Sequence, residues 1–113
     1  MKLEIEVRAN VLDVLPVGIT IINPAGEILY YNDYCARYVD RKPEYIGRDI
    51  RHCHKKDKSI EKIDAVLERL RQGDIEEYHY KSVRNGKKLK VTVSPFIQDG
   101  ECMGFIQSFI VLN

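Results

Sequence analysis

The sequence has almost no excess charge of either sign and no long apolar run. Its 113 residues carry 18 Lys and Arg against 17 Asp and Glu, a net charge of +1, which gives no basis for bulk attraction to nucleic acid or anionic membrane. The apolar stretches, such as "GFIQSFIVL", are too short to span a bilayer. The opening "MKLEIEVRAN" lacks the continuous apolar core of a signal peptide. We therefore expect a cytoplasmic protein that binds neither membrane nor, directly, nucleic acid.

Cysteines are few, and no catalytic constellation stands out. Cys35, Cys53 and Cys102 form an odd, sparse set without CxxC spacing, which indicates reduced thiols rather than a disulfide framework. The sequence has no Ser-His-Asp set, no phosphate-cradling glycine loop and no carboxylate pair in a cleft context, so we do not expect an enzyme. The length and the balance of 44% hydrophobic and 31% charged residues suit one ordinary globular domain.

The first third of the chain predicts a flank followed by a hairpin. "LEIEV" (3–7) alternates like a short strand, and "ANVLDVLP" predicts a helical turn that ends before Pro16. "VGITIIN" (17–23) and "EILYYN" (27–32) predict two strands joined by the turn "PAGE".

Helical patterns occupy the middle of the chain. "NDYCARYVD" predicts a short helix capped by Asn32 or Asp33, and "RKPEYIG" a second short segment that ends at Gly47. "SIEKIDAVLERLRQG" predicts the longest helix, with Ser59 as N-cap and Gly73 as terminator. Its apolar residues fall on one face at helical spacing: Ile60, Ile63, Val66, Leu67 and Leu70.

Three further strands are predicted at 75–83, 88–97 and 104–112, separated by the turns "RNGK" and "QDGE". Together with the first hairpin they predict an α+β fold, in which helices cover one face of a five-stranded antiparallel sheet. Such a fold encloses a concave, mostly apolar space between sheet and helices, where a small ligand can bind.

The chain resembles a PAS domain over about 100 residues. The resemblance rests on "LPVGITIINPAGEILYYN", "IGRDI" and "VSPFIQDGECMGFI", in that order and spacing. It implies a sensory or regulatory module for signal transduction, which binds a small molecule or cofactor and acts on an effector domain or partner protein. It also implies a homodimer formed through the sheet face and the N-terminal flank. We divide the chain into a flank at 1–16 and a PAS domain at 17–113.

Two light-sensing branches of the family match poorly. In the flavin-binding branch a cysteine forms the flavin adduct, but Ile50 stands at that position here. The photoactive yellow proteins attach a chromophore to a loop cysteine, which Cys53 resembles, and bind its phenolate with a tyrosine, which Tyr31 resembles. The acidic partner of that branch is replaced by Cys35, which cannot supply the buried proton donor.

The nearest local resemblance is to heme-binding PAS domains of carbon monoxide-sensing transcription regulators. "GRDIRHCHKKDKS" matches their axial-histidine segment at Gly47, Asp49, His54 and Ser59, with one residue inserted before the serine and Lys55 in place of a proline. The resemblance implies His54 as a heme ligand. The other interpretation is that His52 and His54 belong to a partly exposed basic loop.

A second metal ligand would come from the sheet, with His79 as the first candidate and Cys102 or Met103 as alternatives. A two-residue Asn85-Gly86 turn pairs Val83 with Lys88, and His79 then points away from the ligand space. In that register Tyr78, Tyr80 and Ser82 share the face of Leu89, Val91 and Val93. We select Tyr80 and Val91 as cofactor-binding candidates, together with His54, Cys53 and Tyr31. A three-residue loop would turn His79 inward.

A zinc site is the other metal option, but His52, Cys53 and His54 are adjacent and cannot all converge on one ion. Cys53 can instead be a redox-sensitive thiol beside lysines, or an inert half-buried one. The alternative to ligand sensing is that the chain is a cofactor-free dimerisation and protein-interaction domain of a larger regulator.

Overall fold

The structure, a computed structural model, describes residues 5–53, 57–73 and 76–112, apart from the side chains of 53 and 57–59. Three helices and five strands occur in these ranges. The helices are α1 (Ile5–Val14), α2 (Asp33–Tyr38) and α3 (Asp57–Arg71), with 3-10 turns at Pro43–Tyr45 and Ile50–Cys53. The strands are β1 (Gly18–Ile22), β2 (Ile28–Tyr31), β3 (Tyr78–Arg84), β4 (Lys87–Gln98) and β5 (Glu101–Leu112).

The five strands form one antiparallel sheet in the order β2-β1-β5-β4-β3. The predicted α+β architecture is confirmed. The last strand of the chain lies at the centre, between β1 and β4, so the first hairpin and the final meander share one sheet.

The β3–β4 turn fixes which side chains face the helices. Arg84 pairs with Lys87 across a two-residue loop, in which Asn85 and Gly86 have φ values of 49° and 77°. Positive φ at both central positions is what such a turn requires, and Asn-Gly tolerates it best. Of the two loop lengths that the sequence left open, the structure has the two-residue one, so Tyr80 pairs with Val91 on the inner face.

Helix α3 covers one end of the inner face with the side chains that its periodicity predicted. Ile63, Val66 and Leu67 are buried against the sheet, each burial being worth about 1.5–3 kcal/mol. The helix begins at Asp57, two residues before the predicted N-cap Ser59, which therefore lies inside it.

The prediction of a strand at 3–7 is wrong for residues 5–7, which belong to helix α1; residues 3 and 4 lie outside the described ranges. Ile5 and Val7 are exposed, and α1 buries none of its residues. Alternation over five residues separates a strand from a helix only where one face is buried, and here neither is. None of the described helices is long and apolar enough to cross a membrane.

Two glycines allow β5 to approach β1 closely. A Cβ on Gly18 would lie 2.1 Å from the ring of Phe109, and a Cβ on Gly104, where φ is 132°, would lie 1.9 Å from the carbonyl oxygen of Ile22. A side chain at Gly104 would force β5 away from β1, whereas one at Gly18 would displace the Phe109 ring. Gly18 therefore leaves room for the Phe109 ring over the start of β1.

Candidate functional site

A cavity of about 700 Å³ lies between helix α2, the segment that follows it and the inner faces of β3, β4 and β5. Its volume is within the range of small-molecule sites. Buried apolar side chains on the sheet side include Leu89, Val91 and Phe109. Four polar side chains that line the cavity, Thr20, Arg41, Tyr80 and Gln107, are buried or half-buried.

Asn32 anchors the helix that covers the cavity. Its side chain is fully buried, and its Oδ1 accepts hydrogen bonds from the backbone N–H of Ile19 (3.0 Å) and Cys35 (3.1 Å). Its Nδ2 donates to the carbonyl oxygens of Leu12 (2.9 Å) and Val17 (2.8 Å). The predicted N-cap is confirmed, and the same side chain also joins α2 to β1 and α1.

Arg41 is a charged side chain buried beside the cavity. The residue is 8% exposed, its Nε donates to Thr20 Oγ1 at 3.4 Å, and its Nη1 donates to the carbonyl oxygen of Asp40 at 2.9 Å. Both acceptors are neutral. In the described ranges no carboxylate lies within ion-pair distance of this guanidinium.

Cys35 lies on the α2 side of the cavity, with its Sγ 3.2 Å from Thr20 Oγ1. Burial raises the pKa of the Cys35 thiol, although the charge of Arg41 and the hydrogen bond to Thr20 act in the opposite direction. A neutral, buried thiol is neither a good nucleophile nor a good metal ligand. Cys35 therefore packs against the cavity rather than supplying chemistry to it.

Tyr80 and Gln107 form a polar pair across the floor of the cavity. Gln107 Nε2 donates to Tyr80 Oη at 2.9 Å. Burial raises the pKa of the Tyr80 phenol, although Gln107, Arg84 and Arg41 lower it in part. The phenol is therefore protonated at neutral pH, and because its oxygen is the acceptor for Gln107, its own hydrogen can be donated to a ligand.

The structure brings together two of the five predicted cofactor-binding residues. Tyr80 and Val91 both line the cavity. Tyr31 packs against the core beside it without lining it. Cys53 ends a 3-10 turn, and nothing is described of its side chain, whereas the prediction for His54 lies outside the described residues.

His79 was predicted as a metal ligand, and the strand register contradicts this. Its neighbour across the ladder is Thr92, on the outer face of the sheet. The imidazole Nδ1 lies 3.0 Å from Thr92 Oγ1, and Nε2 lies 3.2 Å from Glu77 Oε1, with the side chain 53% exposed. Across the described ranges, no three His, Cys, Asp or Glu side chains are grouped to hold a metal ion.

The "GRDIR" part of the heme-like segment has a structural role. Arg51 donates from its backbone N–H and its Nε to Asp49 Oδ1, both at 2.9 Å, and from Nη1 to Asp64 Oδ1 of α3 at 2.9 Å. The hydrogen bonds to Asp49 hold the pKa of its carboxyl below the usual range, and the bond from the Arg51 side chain has the largest effect. The segment therefore joins α3 to the first hairpin, and the backbone N–H of Ile50 bonds to the carbonyl oxygen of Gly26.

Sequence reasoning missed Thr20, Gln107 and Arg41 as cavity residues. Thr20 and Gln107 are polar residues on strands whose neighbours on the same face are apolar, and strand parity could have found them. Arg41 follows α2 in a segment without periodicity, and no sequence signal marks it.

Comparisons with known proteins agree with this geometry. A family model described as a PAS domain matches residues 9–112. A crystal structure of a C-terminal domain from Streptococcus mutans is 29% identical, with a TM-score of 0.79, and the match covers 96% of this chain and 85% of that one. None of the curated proteins matches the sequence.

Two other structures share the fold at lower identity. The PAS domain of a Colwellia psychrerythraea protein is 12% identical with a TM-score of 0.73, and the match covers 95% of each chain. The PAS domain of the Cronobacter turicensis RpfR quorum-sensing receptor, solved in complex with BDSF, is 16% identical with a TM-score of 0.63, over 87% of this chain and 95% of that one.

Proposed function

The chain belongs to the PAS domain family, and we propose that it is a sensory module that binds a small molecule in the cavity under α2. The observation that carries this proposal is the pairing of a cavity of about 700 Å³ with buried polar groups along its wall. These groups bond to one another and to the backbone, yet the Tyr80 hydroxyl and Arg41 Nη2 keep a donor for a further acceptor. In small-molecule sites, a few polar groups of this kind fix the orientation of the ligand.

A change at the cavity has a short route to the N-terminal helix. Asn32 caps α2 and also bonds to the carbonyl oxygen of Leu12 in α1. Tyr30 donates a second hydrogen bond to Asp13 Oδ1 of α1, at 2.5 Å. Movement of α2 around a ligand would therefore displace α1, and with it an attached effector domain or a partner protein.

Apolar side chains left exposed support a homodimer formed through α1 and the outer sheet face. On α1 the exposed fractions reach 74% at Ile5 and Val14, and on β5 Ile110 is 43% exposed. A second copy that covers these surfaces would remove them from water. Analytical ultracentrifugation should show a dimer that Val14→Asp weakens and Ile46→Asp, an exposed position outside α1 and the sheet, does not. A monomeric wild-type protein would contradict this.

Heme binding stays a prediction that depends on His54 alone. No histidine or methionine is among the described residues that line the cavity, and His79 faces outward, so these residues do not fit a heme with a ligand from each side. A Soret band that persists after hemin addition and gel filtration, and that is lost in His54→Ala, would establish heme binding. The absence of that band would exclude it.

We also propose that the module is cytoplasmic and not an enzyme, and that it does not contact nucleic acid directly.

Filling the cavity tests the proposed function. Ligand-observed NMR with a library of small acids, amides and alcohols should find binders of the wild-type protein that Val91→Phe no longer binds, because the added ring occupies the cavity. Ile110→Phe, an exposed position on the outer face, is the matched control and should bind as wild type does. No binder, or binders indifferent to Val91→Phe, would instead favour a cofactor-free interaction domain.

A further inference from the structure

We infer that the cavity selects a small monocarboxylate, whose charged group is held by Arg41 and whose apolar body lies against Val91 and Phe109. This rests on the proposed ligand-binding function and names the chemical class of the ligand.

The first argument is the burial of a cation without an anion. Arg41 is more than nine-tenths buried, and its hydrogen bonds go to a hydroxyl and a carbonyl oxygen, one of them long at 3.4 Å. A buried charge is costly unless it is paired. No bond of Nη2 is described, so at least this nitrogen can donate to a further acceptor.

Three side chains that line the cavity beside Arg41, on β1, α2 and β3, carry no negative charge. Thr20 on β1 is a hydroxyl, while Cys35 on α2 and Tyr80 on β3 are protonated because burial raises the pKa of both. Asp40 is next to Arg41 in sequence, but its carboxylate accepts a hydrogen bond from the Tyr45 hydroxyl at 3.3 Å. The protein itself therefore leaves the counterion position of Arg41 to a ligand.

The charge around the opening points the same way. The residues that line the cavity include four cationic side chains and one carboxylate: Arg37, Arg41, Lys42 and Arg84 against Asp40. Clefts with one predominant sign raise the local concentration of ligands of the opposite sign. Because the whole chain has a net charge of only +1, this excess is local to the cavity.

The geometry favours a carboxylate over a phosphate. A single planar guanidinium matches the two oxygens of a carboxylate, and the Tyr80 hydroxyl offers one further donor on the floor. Of the four cations only Arg41 is buried, whereas a dianionic phosphate would need more than one. The apolar side chains of Leu89, Val91 and Phe109 suit a hydrocarbon body.

Calorimetric titration of hexanoate and hexanamide tests the inference without altering the protein. The two have the same shape and differ in charge, so hexanoate should bind about 10- to 100-fold more tightly, the range for a hydrogen bond to a charged group. In Arg41→Gln this preference should disappear, and in Arg41→Lys it should persist in weaker form. The matched control Lys81→Gln, an exposed cation on β3 outside the cavity lining, should keep the preference.

Backbone NMR spectra show whether each variant folds. If Arg41→Gln does not fold, the affinities of the wild-type protein and of Arg41→Lys for hexanoate and hexanamide still test the inference. Equal affinity for hexanamide and hexanoate in the wild-type protein would overturn the carboxylate inference and leave the ligand-binding cavity intact. The inference would also be overturned if hexanoate did not bind while neutral library compounds bound to the wild-type protein and not to Val91→Phe. Failure of every compound would overturn the inference and the proposed function together.

Discussion

The two ends of the inner sheet face differ sharply in how they are covered. Beside α3 the described residues line a pocket of only about 10 Å³, whereas under α2 about 700 Å³ stays open. Helix α3 has 15 residues and presents a continuous apolar face, while α2 has six and is followed by the segment that carries Arg41. We call these regions the packed end and the open end. The difference supports the proposal that the packed end contributes stability and the open end binds a ligand.

Removing a large side chain from the packed end should have the largest effect. Leu67, on the buried face of α3, is only 1% exposed. Leu67→Ala should therefore lower the free energy of unfolding by about 2–5 kcal/mol in urea denaturation. Leu29→Ala, at a residue 48% exposed, is the control and should stay within about 0.5 kcal/mol of wild type. A loss at Leu67 no greater than at Leu29 would mean that the packed end is not the main core.

The next effect concerns the link between the open end and the flank. Asn32→Ala removes a helix cap and takes the Asn32 partner away from the carbonyl oxygens of Leu12 and Val17 and the N–H of Ile19, so it should cost about 2–3 kcal/mol. Hydrogen exchange should show the amides of α1 becoming less protected than those of α3. If α1 and α3 change equally, Asn32 does not couple the flank specifically to the open end.

The packed end could be predicted from sequence much better than the open end. The apolar spacing of α3 names Ile63, Val66 and Leu67 directly, and Asn85-Gly86 predicts a tight turn because few other pairs tolerate positive φ twice. These are local signals. The direction of the His79 side chain depends on the register between β3 and β4, and that register depends on the length of the loop between them. The sequence is compatible with two loop lengths, and the structure distinguishes them.

The open end depends on contacts between distant parts of the chain. Thr20 lies beside Gln107 because β5 pairs with β1, and nothing local in either strand predicts that neighbour. Arg41 is buried by elements that come before and after it in the chain, so its own segment carries no sign of burial. The flank was misread for the opposite reason, since Ile5 and Val7 are exposed and their spacing is not selected by a core.

Alkaline pH should have a smaller effect, a loss of stability that comes from the packed end. Tyr78 packs at the packed end beside α3, and burial raises its pKa to about 12. The unfolded chain loses this proton near pH 10, so the stability that Tyr78 contributes is complete below pH 10 and is lost as the pH rises to about 12. Urea denaturation over this range should show a shallower decline in Tyr78→Phe, with parallel behaviour below pH 9. Identical declines would contradict the assignment.

The most direct test compares two valines that are two residues apart on the same face of β4. Val91 lines the open end and Val93 the packed end, and both are buried. The free energy of unfolding of Val91→Phe should equal that of wild type or exceed it, because the ring enters existing space. Val93→Phe should lose about 1–3 kcal/mol, because it overpacks a filled region. Equal losses in the two variants would contradict the account, since they would mean that no open end exists.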